Sequence, residues 1–391
     1  MNKAAFGMLW LLIFALPSEN MFFWEGVGTI SRGIGAVTLV LAFLSLLVER
    51  RFRSLGAFQV LACVFVLWGM LTFYWSIDIE DSKGALITLI SLFIFIWLIW
   101  ELGQTEERLD QLIKAYVLGS YVSASGILYS FMQNSQAGYM RFSATGFNAN
   151  DLGLTLALGV PMAWYLALKG KDGLLVWVYR LYLFAAFFAI ILTASRTSFI
   201  AMLAGMLFII LTVKRTSIWL NSLMWVSAAL VGGWLLEKVP EYSLYRLSTT
   251  VSNFTAGDLG ERVNIWRHGL NIFSDNPLLG TGIGTFNKGF EQYAGFVKSS
   301  HNVFLSILVE QGLVGLLIFS SILALMLFFI IKMPYLQCTL CAVLLFAWFL
   351  GGMTLGWDLR KPTWLLLGLI AGHGSVALNR DRHIEIELSR W

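Results

Sequence analysis

The chain has 391 residues, of which 58% are hydrophobic and 13% charged, with a mean hydropathy of +0.74. A soluble chain carries about a quarter charged residues, so too few polar side chains remain to cover water-borne domains, and the composition points to a polytopic membrane protein. A net charge of +4, three cysteines and four histidines argue against a nucleic-acid partner, a disulfide framework and a zinc site.

Apolar runs long enough to approach the ~20 residues that cross a bilayer fall at 4–17, 31–48, 56–75, 84–101, 111–132, 151–168, 175–194, 197–213, 218–236, 303–332, 335–355 and 362–379. The first, behind Lys3, has the form of a signal-peptide core. No small-x-small cleavage site follows it, and Pro17-Ser18-Glu19 reads as a helix end, so it is expected to be an uncleaved span. Cys63, Cys338 and Cys341 lie in apolar runs, where a thiol behaves as a small hydrophobe. Pro161 is the one proline inside a span. The tenth run is long enough to predict a break near Glu310–Gly312.

With the N-terminus on the inner side, fifteen Lys and Arg fall on inner segments and six in short outer loops, which predicts that both termini are inside. Arg180 is expected to snorkel to the inner surface. The expected organisation is spans one to nine over 1–236, an outer cap over 237–300, spans ten to twelve over 301–379 and an inner tail over 380–391.

The 64-residue loop at 237–300 carries six basic and six acidic residues. A loop of that length calls for its own structure. Asp258-Leu259-Gly260-Glu261 has capping-box spacing. Val263, Trp266, Leu270 and Phe273 then form one helical stripe, ended by Asn276-Pro277 and expected to lie stripe-down on the membrane domain. Gly280-Thr281-Gly282-Ile283-Gly284 lacks the lysine and hydroxyl of a phosphate-binding loop, and no βαβ unit surrounds it. These glycines read as a tight turn against the membrane domain, with no nucleotide.

Arg196, in Thr193-Ala194-Ser195-Arg196-Thr197-Ser198, sits at the outer end of a helical hairpin. A guanidinium there requires either a structural partner such as Asp151 or Asp358, or an anionic ligand. Arg262 and Arg267 in the loop helix read as surface charges on spacing alone. His301, at the junction of loop and tenth span, is a satisfied polar residue or a group suited to proton transfer near neutral pH. His268 is a weaker candidate, and His373 and His383 lie towards the inner side. Two arginines, one histidine and an outer cap together suit transfer from a lipid-linked diphosphate. Arginine would bear the leaving group's charge and histidine would take the acceptor's proton, with no metal and no cofactor.

The stretch Gly260-Glu261-Arg262-Val263-Asn264-Ile265-Trp266, then Asn276-Pro277-Leu278-Leu279-Gly280, then His301-Asn302 with Gly312 and Gly315, resembles the O-antigen ligase/polymerase superfamily of bacterial glycosyltransferases. The Ser195-Arg196 hairpin and Phe147-Asn148-Ala149-Asn150-Asp151 add to the resemblance, which covers about 140–320. It implies an all-α polytopic membrane protein of about twelve transmembrane helices, with one long periplasmic loop containing helices and a C-type glycosyltransferase-like architecture. The implied location is the bacterial inner membrane, with both termini cytoplasmic and a periplasmic active site. The implied partners are an undecaprenyl-diphosphate-linked glycan donor, a lipid A-core acceptor (or a lipid-linked repeat unit) and the lipid bilayer. Carried onto this sequence, Arg196 and Arg262 would bind the diphosphate and His301 would be catalytic. Arg267, Asn150, Asp151 and Asn302 are looser donor or acceptor contacts, and Arg360 and Lys361 join them on position alone. Three functions remain open: an O-antigen ligase completing lipopolysaccharide, a polymerase extending lipid-linked units, and a lipid-linked glycan transporter. The scarcity of acidic residues at span centres disfavours the transporter.

Overall fold

A computed structural model describes residues 1–26, 28–50, 52–133, 141–170, 173–215, 226, 230, 232–233, 237–250 and 261–388. The helices in chain order are α1 (Asn2–Ala15), α2 (Ile30–Glu49), α3 (Ala57–Thr72), α4 (Ile79–Leu102), α5 (Glu106–Gln133), α6 (Ala149–Lys169) and α7 (Leu174–Leu192). They continue with α8 (Arg196–Thr212), α9 (Glu241–Ser248), α10 (Arg262–Asp275), α11 (Phe286–Ala294), α12 (Val303–Lys332), α13 (Tyr335–Gly352) and α14 (Lys361–Leu388). The sheet found among the described residues is a two-stranded antiparallel hairpin, Phe23–Trp24 with Gly28–Thr29. The protein is therefore an all-α polytopic membrane protein.

Among the described residues, nine helices are long and apolar enough to cross a bilayer. α1 reaches that length through the 3-10 turn that continues it to Met21. Two further long helices, α5 and α14, coincide with the expected spans at 111–132 and 362–379 but are diluted by Ser and Tyr or by Gly, Ser and His. The expected span at 218–236 lies outside the described residues except at 226, 230, 232 and 233.

The chain divides into two compact units, each assembled from three separate stretches. The first comprises Met1–Glu49, Leu102–Val251 and Met333–Gly351. Its centre is α6, buried at every residue from Leu152 to Ala167 and packed against α5, α7 and α8. Small residues allow that approach: a Cβ on Gly205 of α8 would sit 3.0 Å from the Pro161 ring, so the one intramembrane proline lies against a glycine. Arg180 is buried on α7 with its guanidinium 5.2 Å from the Trp177 ring, one turn nearer the start of the helix. Stacking on an aromatic face replaces hydration for a delocalised cation.

The second unit comprises Arg50–Glu101, Ser252–Lys332 and Gly352–Trp391. Here α12 packs against α3 and α14, with the Phe65 ring 5.7 Å from Phe319 and 6.1 Å from Trp364. The expected break in the tenth span is present. Gly312 adopts φ 67° and ψ −170° inside α12. The groups released there are re-satisfied by the loop before α11. The Thr281 amide donates to the Val309 carbonyl and the Gly282 amide to the Glu310 carbonyl, both at 2.9 Å. In return the amides of Leu313 and Val314 donate to the carbonyls of Pro277, at 2.9 Å, and Leu278, at 3.4 Å. A helix can be broken at membrane depth only with such compensation.

The cap helix α10 also corrects the sequence reading. Its buried residues are Ile265, Gly269 and Ile272, flanked by the partly buried Trp266 and Phe273, whereas Val263 and Leu270 are exposed. Ile265 and Ile272 join Phe286, Phe290, Leu305 and Val309 in one apolar cluster. Both stripes obey helical spacing and share Trp266 and Phe273. Gly269 decides between them, because its missing side chain admits Leu305, which would lie 2.9 Å from a Cβ. Of the expected capping box, Asp258–Gly260 lie outside the described residues. Glu261 adopts a left-handed φ of 65° and gives no side-chain cap.

Candidate functional site

Within the first unit, the turn from α7 to α8 is the most elaborated. Ala194 takes φ 48° in a fully buried position. Ser195 caps α8, accepting the Ser198 amide at 3.3 Å and sharing a 2.8 Å hydrogen bond with the Ser198 hydroxyl. Ser198 in turn donates to the Asn150 carbonyl at 3.0 Å, which ties the start of α8 to the start of α6. Asn148 caps α6 by accepting the Asn150 amide at 2.8 Å. Two helix N-termini, with their partial positive charge, are thereby held side by side.

Arg196 is the first residue of α8. Its Nε donates to the Arg246 carbonyl and its Nη2 to the Thr249 hydroxyl, both at 2.9 Å. Arg141 was missed from the sequence. It donates from Nε to the Thr193 carbonyl at 3.0 Å and from Nη2 to Asn150 Oδ1 at 2.5 Å. Arg246 was also missed. It stacks on Tyr242 with 5.7 Å between guanidinium and ring, and donates to that tyrosine's hydroxyl at 3.1 Å. Arg141 thus meets the Thr193–Arg196 turn through its guanidinium and Arg246 through its main-chain carbonyl, and Asp151 stands in the first turn of α6. Neither missed arginine lies in a motif, so only the fold brings them to the turn.

Within the second unit, His301 immediately precedes α12. It is half-buried, in the left-handed region at φ 47°, with Nε2 3.3 Å from the Ser299 hydroxyl. Left-handed backbone is uncommon outside glycine, although His tolerates it better than most residues. Asn302 fixes the pose. Its Oδ1 accepts the amides of Phe304 at 2.9 Å and Leu305 at 3.0 Å, and its Nδ2 donates to the Met353 carbonyl at 3.3 Å. Asn302 is therefore an N-cap that also fastens the 353–360 loop. That loop brings Gly356 beside Ser300 and leads to Arg360, which is exposed, and Lys361, the half-buried first residue of α14. Asp358 in the same loop is buried, and loss of hydration raises its carboxyl pKa from 3.8 to about 6; the nearby Arg360 acts in the opposite direction.

Arg262 opens α10 and is half-buried, while Arg267 is exposed on the same helix. An ion pair of 2.9 Å between Glu261 and Lys298 draws the start of α10 to the segment that ends in His301. The glycine turn encloses a hydrogen-bond acceptor supplied by the chain itself. The buried Glu310 carboxyl group accepts the Gly284 amide at 2.7 Å, the Phe286 amide at 3.2 Å and the Ser306 hydroxyl at 3.3 Å. A Cβ on Gly280 would lie 2.5 Å from the Glu310 carbonyl carbon, and Gly280 has φ 72°. The expectation of a tight turn holds, and Glu310 supplies its reason. Among the described residues, no group of three or more His, Cys, Asp or Glu side chains could hold a metal ion.

In comparison with known proteins, residues 181–320 match the Wzy_C family model, described as O-antigen ligase. The matched segment runs from α7 into α12, and the match supports a likeness to the O-antigen ligase/polymerase superfamily. This supports a membrane enzyme of the ligase or polymerase type that acts on glycans. No curated protein matches the chain.

Proposed function

We propose that this chain transfers a glycan from undecaprenyl diphosphate to an acceptor hydroxyl at the periplasmic face of the bacterial inner membrane, as an O-antigen ligase acting on lipid A-core. The observation that carries this reading is that the family match at 181–320 contains Arg196, Arg262 and His301 together. Asn150, Asp151, Arg360 and Lys361 lie outside it and are assigned looser contacts with donor or acceptor, as are Arg267 and Asn302.

In this reading the His301 imidazole takes the proton of the acceptor hydroxyl as its oxygen bonds to the anomeric carbon. The glycosyl carbon–oxygen bond to the diphosphate breaks, and its electron pair leaves on undecaprenyl diphosphate. Arg196 and Arg262 bear the negative charge of that leaving group, so no protonation by a separate acid and no metal is required. The strained, capped position of His301 supports its role, since a base acts efficiently only when held at fixed geometry.

The pattern His301-Asn302 with Gly312 and Gly315 favours a ligase over a polymerase extending lipid-linked repeat units. A deletion strain examined on a lipopolysaccharide gel tests this. Core-only lipid A with accumulated lipid-linked polymer is expected. Core bearing a single repeat would establish the polymerase instead, and an unchanged ladder would overturn both.

A further inference from the structure

Far along the chain from the residues assigned above, the first unit holds a cavity of about 550 Å³ lined by Met1, Asn2, Lys3, Glu49, Gln104, Thr105 and Arg108. It lies where α1 and α5 begin and α2 ends, which is the rim of the spanning bundle. Its size falls within the range of small-molecule sites. Its chemistry is two-signed. Lys3 and Arg108 are cations. Arg108 spends one N–H on the Leu102 carbonyl at 2.8 Å and lies 5.0 Å over the Phe6 ring, so its guanidinium is anchored with further donors left over. Glu49 is a carboxylate held by the Ser45 hydroxyl at 3.1 Å. Asn2 adds a buried Oδ1 with no hydrogen-bond donor, an acceptor that costs free energy until an N–H reaches it.

A cavity with two cationic side chains and two side-chain acceptors suits a ligand that carries both a phosphate and a primary ammonium. The wall beside it indicates what else that ligand carries. On α2, immediately before Glu49, the apolar residues Val40, Phe43, Leu44, Leu47 and Val48 are all exposed, Val48 to 67%. Their helical spacing makes one apolar strip running from the cavity along a spanning helix, where an acyl chain would lie.

We infer that this cavity binds the headgroup of an aminophospholipid of the phosphoethanolamine type, its phosphate on Lys3 and Arg108, its ammonium on Glu49 and Asn2, and its acyl chains along α2. Charge-assisted hydrogen bonds of both signs would select it over lipids that are only anionic.

Native mass spectrometry on the full chain in detergent tests the assignment, with phosphatidylethanolamine and phosphatidylglycerol added at equal concentration. Wild type is expected to retain phosphatidylethanolamine in preference. K3Q and R108Q are each expected to lower its retention about tenfold, the equivalent of one lost charged contact. E49Q is expected to remove the preference while keeping binding of both lipids, and E49Q and K3Q keep the test decisive should R108Q not fold. Soluble phosphoethanolamine and inorganic phosphate form separate arms read by thermal shift. Stabilisation by either alone, equal to that given by the lipid, would replace the lipid with a free headgroup or phosphate and overturn the proposal. Equal retention of both lipids by wild type, or unchanged retention in all three variants, would overturn it as well.

Discussion

The Glu310 carboxyl group accepts the backbone amide of Gly284 at 2.7 Å, so an intrahelical side chain satisfies the amides of the glycine turn. One residue thereby joins the glycine turn to the helix that begins beside His301. Removing it leaves the buried amide of Phe286 and the half-buried amide of Gly284 unpaired, at a cost of ~1–3 kcal/mol for each buried unsatisfied group. Glu310→Ala is expected to lower the thermal midpoint by several degrees in detergent, and Glu310→Gln, which keeps an acceptor, by less. An unchanged midpoint for Glu310→Ala would remove the turn's dependence on this acid.

Gly312 makes a second demand on the same junction. Its φ is 67°, and a Cβ there would meet the Leu278 carbonyl. Gly312→Ala is expected to cost ~1–3 kcal/mol from backbone strain, with the steric conflict added. Circular dichroism melts of the variant beside Gly84→Ala provide the check, since Gly84 has no positive φ and open space where a Cβ would stand.

His301 and Asn302 are neighbours with separable roles. His301→Ala is expected to abolish transfer while the protein remains folded, and wild-type transfer by that variant would end its assignment as base. His301→Gly is expected to be equally inactive but more stable than His301→Ala, because glycine occupies φ 47° without strain. Asn302→Ala is expected to lose ~1 kcal/mol of stability with the cap. Its activity loss should follow its unfolding and be restored by Asn302→Asp, which keeps a capping oxygen.

Arg196 and Arg262 are expected to act on the donor. Replacing either by Ala removes charged hydrogen bonds worth ~1.5–3 kcal/mol apiece, so the apparent KM for the lipid-linked donor should rise by about tenfold to a hundredfold. Arg196→Lys should recover less than charge alone predicts, because only the guanidinium fork can serve Arg246 and Thr249 together. Donor kinetics unchanged in both Ala variants would count against the diphosphate role.

Asp358 gives a pH dependence. Its carboxyl pKa in the folded protein is raised from 3.8 to about 6 by burial, so the folded state holds this proton more tightly than the unfolded one. The stabilisation is complete below about pH 4 and is lost as pH rises through about 6. Asp358→Asn, neutral at all pH, is expected to flatten that part of the stability profile. A wild-type melting curve that does not fall between pH 4 and 6 relative to the variant would contradict this.

The spans were legible because apolar runs are a bulk property of the chain, and the break at Gly312 because a 30-residue helix exceeds what a bilayer needs. The cap helix was misread for a local reason. α10 is apolar on adjoining faces, and the choice between them depends on Leu305, some forty residues away. Glu310 stood in view as part of a helix break, but its pairing with the amides of Gly284 and Phe286 is a fact of the fold. Arg141 and Arg246 belong to no motif and reach the Thr193–Arg196 turn through tertiary packing. Asn302 was legible as part of a pattern, whereas its side-chain bonds to backbone groups on two segments are a fact of the fold.

The interleaving of the two units has a consequence for biosynthesis. The first unit takes its final helix from Met333–Gly351 and the second from Gly352 onwards. Neither hydrophobic core can therefore close until the stretches beyond Met333 have left the ribosome. Early spans must wait in the bilayer as inserted but unassembled helices, stable in lipid because their backbone bonds are internal. A premature stop after α12 would leave both halves incomplete, exposing to quality-control proteases two partial bundles in place of one intact domain and one broken one.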